Sequence, residues 1–170
     1  MPASSYSDQE KDAIYRVIRE RRDMRHFVRE PIEESVLLKL LDAATQAPSV
    51  GYMQPWRFVR ITDEAVRAEI YEQVKTEIDT TGEAVGEKKE AYMRLKLEGI
   101  NECAEVWVAA LMEGREKYVL GRRTMPEMDL ASLSCAVQNI WLAARAEGIG
   151  VGWVSFFEPD RLAKLLGLPD

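Results

Sequence analysis

The chain has 170 residues, 46% hydrophobic and 31% charged, which is enough for one domain that buries its own core without disulfide staples. Its formal charge of -6, with no run of basic residues to offset it, argues against a nucleic-acid partner, which needs an electropositive footprint. No apolar stretch reaches the ~18 residues of a membrane-crossing helix, and the opening residues MPASSYSDQEKDAI lack the basic and apolar regions of a signal peptide, so a cytoplasmic protein without a membrane partner is expected.

Ser7 followed by Glu10 has the form of a capping box, and Ile14, Val17 and Ile18 continue as a helical stripe that runs into Arg21 and Arg22. Pro31 opens a second helix with Val36, Leu37, Leu40 and Leu41 on its buried face, ending near Ala47 and Pro48. Residues 48–56, PSVGYMQPW, hold two prolines and a glycine and read as a loop. Residues 58–61 alternate as a strand does. Helices are expected over 63–78 and 85–99, separated by a break at Thr80, Thr81 and Gly82. The second of them carries Glu87, Lys88, Lys89 and Glu90, a solvated face or a cover over a site.

Residues 106–111, VWVAAL, read as a buried strand, and 114–127 as irregular chain. Asp129 is expected to cap a long helix over 130–147. That helix is apolar nearly all round, which calls for burial on most faces and predicts a dimer interface. Gly148 ends it, residues 150–155 read as a glycine-containing strand, and Pro159 starts a last short helix ending near Leu166 and Gly167. Leu168, Pro169 and Asp170 are turn chemistry that should lead into another element. A C-terminal segment present in related proteins is therefore expected to be missing.

Chemistry concentrates in three segments. Arg21, Arg22 and Arg25 flank Asp23 and Met24. Three guanidiniums this close suit planar recognition of phosphate or carboxylate, and they equally suit an exposed helix end, where cations meet the dipole. The loop from Ala47 to Trp56 combines Ser49 and Gly51, which permit close backbone approach, with Tyr52, Met53 and Trp56, which offer flat or soft apolar surface. That mixture fits a planar heteroaromatic ligand or an ordinary loop anchored by aromatics. Residues 148–155, GIGVGWVS, contain G-x-G-x-G, but the glycines enter a strand, whereas a dinucleotide loop follows one. Tight packing after a helix cap is the simpler reading of those glycines, and a strand passing under a ligand with Ser155 facing it is the functional one.

The two cysteines, Cys103 and Cys135, read as reduced thiols packed as small hydrophobes. With one histidine, His26, a Cys-His or Ser-His-Asp catalyst is poorly supported and a zinc site is disfavoured, so no metal is expected.

In combination these segments resemble the nitroreductase-type flavoprotein family. The matching stretches are RRDMR, APSVGYMQPWRF, LKLEGI, the long run VLGRRTMPEMDLASLSCAVQNIWLAARAEGIGVGWVS, and LLGLP near the end. Aspartate at position 23, where general nitroreductases carry serine, is similar to the branch of the family that fragments reduced FMN to 5,6-dimethylbenzimidazole. The resemblance implies an α+β, three-layer sandwich with a mostly antiparallel central sheet flanked by helices, in a single domain over 1–170 with 85–99 as a lid. It implies a homodimer with FMN at its interface. Reduced FMN enters as a substrate supplied by a separate flavin reductase, and molecular oxygen is the co-substrate. It assigns Arg21, Arg22 and Arg25 to the FMN phosphate and ribityl region, and Met24, Ser49 and Met53 to the flavin's surroundings. Leu97 falls on the lid, Gly150, Val151 and Gly152 near the ring, and Asp23 and Ser155 on the catalytic positions. An NAD(P)H-dependent nitro or quinone reductase and a non-catalytic flavin-binding protein are the alternatives on the same fold.

Overall fold

The computed structural model describes residues 5–84 and 99–169. The expected lid 85–99, Leu97 included, lies outside the described residues except for Gly99. Helix α1, Asp8–Glu20, opens with the capping box read from the sequence: the Ser7 hydroxyl accepts from the Glu10 amide at 3.3 Å, and the Glu10 carboxylate accepts from the Ser7 amide at 2.8 Å. Helix α2 is Glu34–Thr45 and buries Leu37, Leu40 and Ala44. Strand β1, Trp56–Arg60, pairs antiparallel with β2, Trp107–Leu111, and Trp56 lies opposite Leu111 and Arg60 opposite Trp107.

The period-two alternation of the two strands sorts their side chains into two cores. Trp56, Phe58, Trp107 and Leu111 face Leu40 and Ala44 of α2 and Leu133, Ala136, Ile140 and Ala144 of α4, Met128–Ala146. Val59 and Val108 face the other way, onto Ile70 and Val74 of α3, Glu64–Ala84, and Leu162 of α5, Pro159–Leu165. Helices therefore cover both faces of the sheet, and the three-layer α+β arrangement expected from the sequence is present with a two-stranded antiparallel sheet among the described residues.

Several expectations need correction. Helix α3 runs through Thr80, Thr81 and Gly82 without a break. The hydroxyls of Thr76 and Thr80 donate to the carbonyls of Glu72 and Thr76, each at 2.9 Å, which satisfies them within the helix. Gly82 is buried, where a small residue allows close packing. Residues 150–155 form no strand, only an isolated parallel bridge between Asp23 and Val151. Asp129 is not the cap of α4; Glu127 holds that position without a side-chain bond, and Asp129 sits buried in the first turn. The cover that α4 requires comes largely from α1, α2 and the sheet of the same chain, and seven of its residues are buried. Exposed apolar side chains lie on and beside α1, at Tyr6, Ile14, Tyr15 and Ile18, as well as at Leu130 of α4, and no residue of α1 is buried. Of the cysteines, Cys135 is exposed, and the half-buried Cys103 thiol accepts from Arg67 Nη2 at 3.0 Å.

A fork at the end of the sheet gives the fold a pH-sensitive element. Arg60 donates from Nε and Nη2 to both oxygens of Glu105, at 2.8 and 2.7 Å, and from Nη1 to Glu34 on α2 at 2.9 Å. Burial pushes the Glu105 carboxyl up, but the bonds from Arg60 and Trp107 and the nearby positive charges outweigh it and hold the group below its ordinary 4.5. The stabilisation is present above the ordinary value and is lost as pH falls from there through the lowered folded value. Glu105→Gln is expected to melt below the parent at pH 7, and the gap should close in acid. Thermal melts from pH 7 down to pH 3 check this, and a gap that stays constant across the series refutes it.

Candidate functional site

Helix α1 stops at Glu20 because Arg21 turns to extended backbone, with φ -59° and ψ 129°. The chain then runs alongside residues 148–153. The Met24 amide donates to the Val151 carbonyl at 2.9 Å, and the next amide in the ladder, that of Trp153, donates to Asp23 Oδ1 at 3.0 Å. A side-chain carboxylate takes the place of a backbone carbonyl there, which is why a single bridge forms and no strand follows. The other oxygen of Asp23 pairs with Arg25 Nη2 at 2.5 Å, and both side chains are about one-third exposed. Asp23 thus sits braced between a fixed N–H and a guanidinium, and still reaches solvent.

The arginines divide their work. Arg22 Nη1 donates to the carbonyls of Arg19 and Arg21 at 2.6 and 2.7 Å, which neutralises the carbonyl end of α1. Arg21 lies over the ring of Trp141 at 4.6 Å. Trp141 in turn donates its indole N–H to the Arg22 carbonyl at 3.3 Å and meets the Trp153 ring at 6.1 Å.

These groups open onto a cleft of about 300 Å³. Of the residues expected at a flavin, Arg21, Arg22, Met24, Gly150 and Val151 line it. Asp23, Arg25 and Gly152 stand beside it, and Ser155 is exposed further along the chain. The glycines let the two segments pack closely, since a Cβ on Gly150 would lie 2.8 Å from Met24 Cγ, and one on Gly152 would lie 2.7 Å from the Met24 carbonyl oxygen.

Three lining residues were not singled out from the sequence: Glu20, Trp141 and Arg145. Arg145 Nη2 donates to Glu20 Oε2 at 2.6 Å, and bonds from Arg145 and Arg16 hold the Glu20 carboxyl below its ordinary value. The available signal was the spacing of Trp141 and Arg145, one helical turn apart and so on one face of α4. In a helix so apolar they read as core.

The remaining expected residues lie elsewhere. Ser49 accepts from the Gln54 amide at 3.0 Å, and Val50 beside it donates its amide to Ser132 Oγ at 3.1 Å. Met53 is buried at 4% exposure, whereas Tyr52 is 81% exposed. Ser132 and Trp141 are nine residues apart on α4, which at about 1.5 Å per residue separates them by about 14 Å along the helix. One chain therefore does not bring the Ser49 loop to the Arg21 cleft. Leu97 falls outside the described residues. Among the described residues no cluster of His, Cys, Asp and Glu could hold a metal ion, and no helix is long and apolar enough to cross a membrane.

The cleft combines the guanidiniums of Arg21, Arg22 and Arg145 with the glycine-containing backbone at 148–151. The 5,6-dimethylbenzimidazole synthase of Rhodospirillum rubrum is 41% identical over 162 residues, covering 94% of this chain and 76% of that protein. Iodotyrosine deiodinase, solved with FMN and 3-iodo-L-tyrosine, superposes with a TM-score of 0.72 at 23% identity, over 92% of this chain and 82% of that one. A BluB-like flavoprotein from Clostridium difficile superposes with a TM-score of 0.62 at 19% identity, over 90% and 80%. These two structures bear on the fold alone. The family model described as nitroreductase matches residues 18–170, and with that match and the synthase identity the chain belongs to the nitroreductase family.

Proposed function

We propose that the chain is a 5,6-dimethylbenzimidazole synthase, an enzyme that consumes reduced FMN and oxygen and yields 5,6-dimethylbenzimidazole and erythrose 4-phosphate. The observation that carries this reading is Asp23. The residue that separates the synthase branch from general nitroreductases is held at the edge of the cleft by the Trp153 amide and Arg25. Bound reduced FMN supplies both the reducing electrons and the ring carbons of the product.

The protein's own groups do the rest. Arg21, resting on the buried Trp141 ring, presents positive charge to the phosphate end, and the backbone at Gly150 and Val151 provides a wall. Asp23 is a carboxylate beside the wall that still reaches solvent, whereas Glu20 on the lining is tied to Arg16 and Arg145, so Asp23 directs proton movement at the reacting ring. By the family resemblance Ser155, exposed further along the same segment, is the companion catalytic residue.

The reading includes a homodimer. The Ser49 loop and the Arg21 cleft sit at opposite ends of α4, and Tyr6, Ile14, Tyr15 and Ile18 on and beside α1 are exposed among the described residues. Two copies related by a two-fold axis would bury that face and set one copy's loop against the other's cleft. A separate flavin reductase would supply reduced FMN in the cytoplasm.

The test is an aerobic incubation of the purified protein with chemically reduced FMN, followed by chromatography with mass detection. The expected result is 5,6-dimethylbenzimidazole. Recovery of FMN only in oxidised form, together with bleaching of bound flavin by NADPH, would replace the synthase reading with a nitroreductase one.

A further inference from the structure

We propose that Asp129 is a positioning residue for loop 49–54, acting through the two arginines of the segment that lies across it. Where this loop is called part of the flavin site, the inference rests on the function proposed above.

The loop needs to be held. Gly51, Tyr52 and Gln54 have φ of 55°, 53° and 49°. Two of these are not glycine, and left-handed backbone at such residues persists only where the surroundings over-determine it. Within the loop, Ser49 Oγ accepts from the Gln54 amide. From α4, Ser132 Oγ accepts from the Val50 amide while donating to the Met128 carbonyl at 2.6 Å.

From above, segment 115–125 presses on the loop. The Leu120 carbonyl oxygen lies 2.8 Å from where a Gly51 Cβ would be, and Val50 Cγ2 lies 2.2 Å from where a Gly121 Cβ would be. Both glycines are therefore required by this contact. The segment is in turn tied to α4 by one carboxylate oxygen: Asp129 Oδ2 accepts from Arg115 Nε at 3.0 Å and from Arg122 Nε at 2.7 Å. Arg115 also donates to the Met112 carbonyl, and Arg122 reaches Glu116 at 3.6 Å.

The Asp129 side chain is 5% exposed, and its Oδ1 has no hydrogen-bond partner among the described residues. The carboxylate is thus committed to the two arginines. Loss of its charge leaves Arg115 without a carboxylate partner and Arg122 with only the exposed Glu116, and loosens the segment from the helix. Asp129 and Ser132 lie three residues apart on one face of α4, so the first turns of that helix fix the loop from below and its cover from above.

The experiment compares the full chain with Asp129→Asn by native-state amide exchange and by titration with oxidised FMN, read from flavin fluorescence. Val50 and Gln54 amides are expected to exchange about tenfold faster in the variant, with FMN affinity about tenfold weaker. The Met24 and Trp153 amides, at the far end of α4, should keep their protection. A purely structural loss would lower protection at all four positions, and that outcome overturns the proposal, as does unchanged exchange at Val50 and Gln54. If Asp129→Asn does not fold, Arg122→Gln, which keeps the Arg115 pair, is judged by the same four amides. Failure of the parent protein to bind FMN would sink the flavin reading, while the amide exchange would still decide the role of Asp129.

Discussion

Asp23→Asn is expected to lower 5,6-dimethylbenzimidazole formation by about 100-fold or more, with FMN binding within about threefold of the parent. Asparagine has nearly the shape of aspartate, and its carbonyl oxygen can still accept the Trp153 N–H that Oδ1 accepts at 3.0 Å. The bridge between residues 23 and 151 and the wall of the cleft therefore persist. What is lost is the charge that pairs with Arg25 at 2.5 Å and the capacity to take or give a proton.

Arg25 then gains freedom to meet an anionic ligand, which protects or improves binding. The result to look for is a separation of turnover from affinity, measured by single-turnover product yield and by flavin titration. A variant that makes product at the parent rate would remove Asp23 from the chemistry. A variant that loses binding and product together would make it a structural tie between the two segments and nothing more. Ser155→Ala is the companion measurement. The hydroxyl is exposed, so its loss should leave stability unchanged and report only on the reaction.

Much of the fold was legible from local signals. The capping box at Ser7 and Glu10, the apolar stripe of α2, the alternation of β1 and β2 and the stop at Gly148 are each a short-range rule satisfied in place. The misread places are those where a distant partner decides. Thr80 and Gly82 are weak helix formers, yet the helix runs through them: the Thr80 hydroxyl is satisfied on the Thr76 carbonyl, and Gly82 is buried by packing that its local sequence does not reveal. Asp129 has the sequence position of a helix cap, but its partners Arg115 and Arg122 lie 14 and 7 residues upstream. Residues 150–155 have strand composition, but their ladder is interrupted by a carboxylate some 130 residues earlier in the chain.

The site shows the same division. Residues 21–25 and 148–152 could be named as chemistry-bearing because arginine clusters and glycine runs are local. Nothing in the linear order placed Trp141 and Arg145 on the cleft, or set the Ser49 loop at the opposite end of α4. Those facts follow from which faces of one helix the two segments cover.

At the Asp23 segment, a large stability effect is expected from a single added methyl group at Gly152. Its Cβ would lie 2.7 Å from the Met24 carbonyl oxygen, 3.1 Å from Phe27 Cζ and 3.7 Å from Asp23 Oδ1. A backbone oxygen cannot rotate away as a side-chain tip can. Relief requires the two segments to part, and they are joined by the Met24 amide to the Val151 carbonyl at 2.9 Å and the Trp153 amide to Asp23 at 3.0 Å. Gly152→Ala should therefore cost about 2–3 kcal/mol through overpacking, which for a chain of this size corresponds to a melting point lower by roughly 5–10 °C.

Activity should fall further than the melting point implies, because one of the displaced segments carries Asp23. Gly150→Ala is the internal control. Its Cβ would meet Met24 Cγ at 2.8 Å, but that neighbour is a flexible side chain and can move aside. Gly148→Ala separates the remaining variable. Nothing lies within 4 Å of its Cβ, and φ is 79°, so only the backbone conformation resists, at about 1–2 kcal/mol. The expected order of product loss is Gly152 first, then Gly150 and Gly148, with thermal melts and product yields measured on the same preparations. If Gly152→Ala melts with the parent and retains its yield, the two segments are not held by the contact at Met24, and the bracing of Asp23 must come from Arg25 alone.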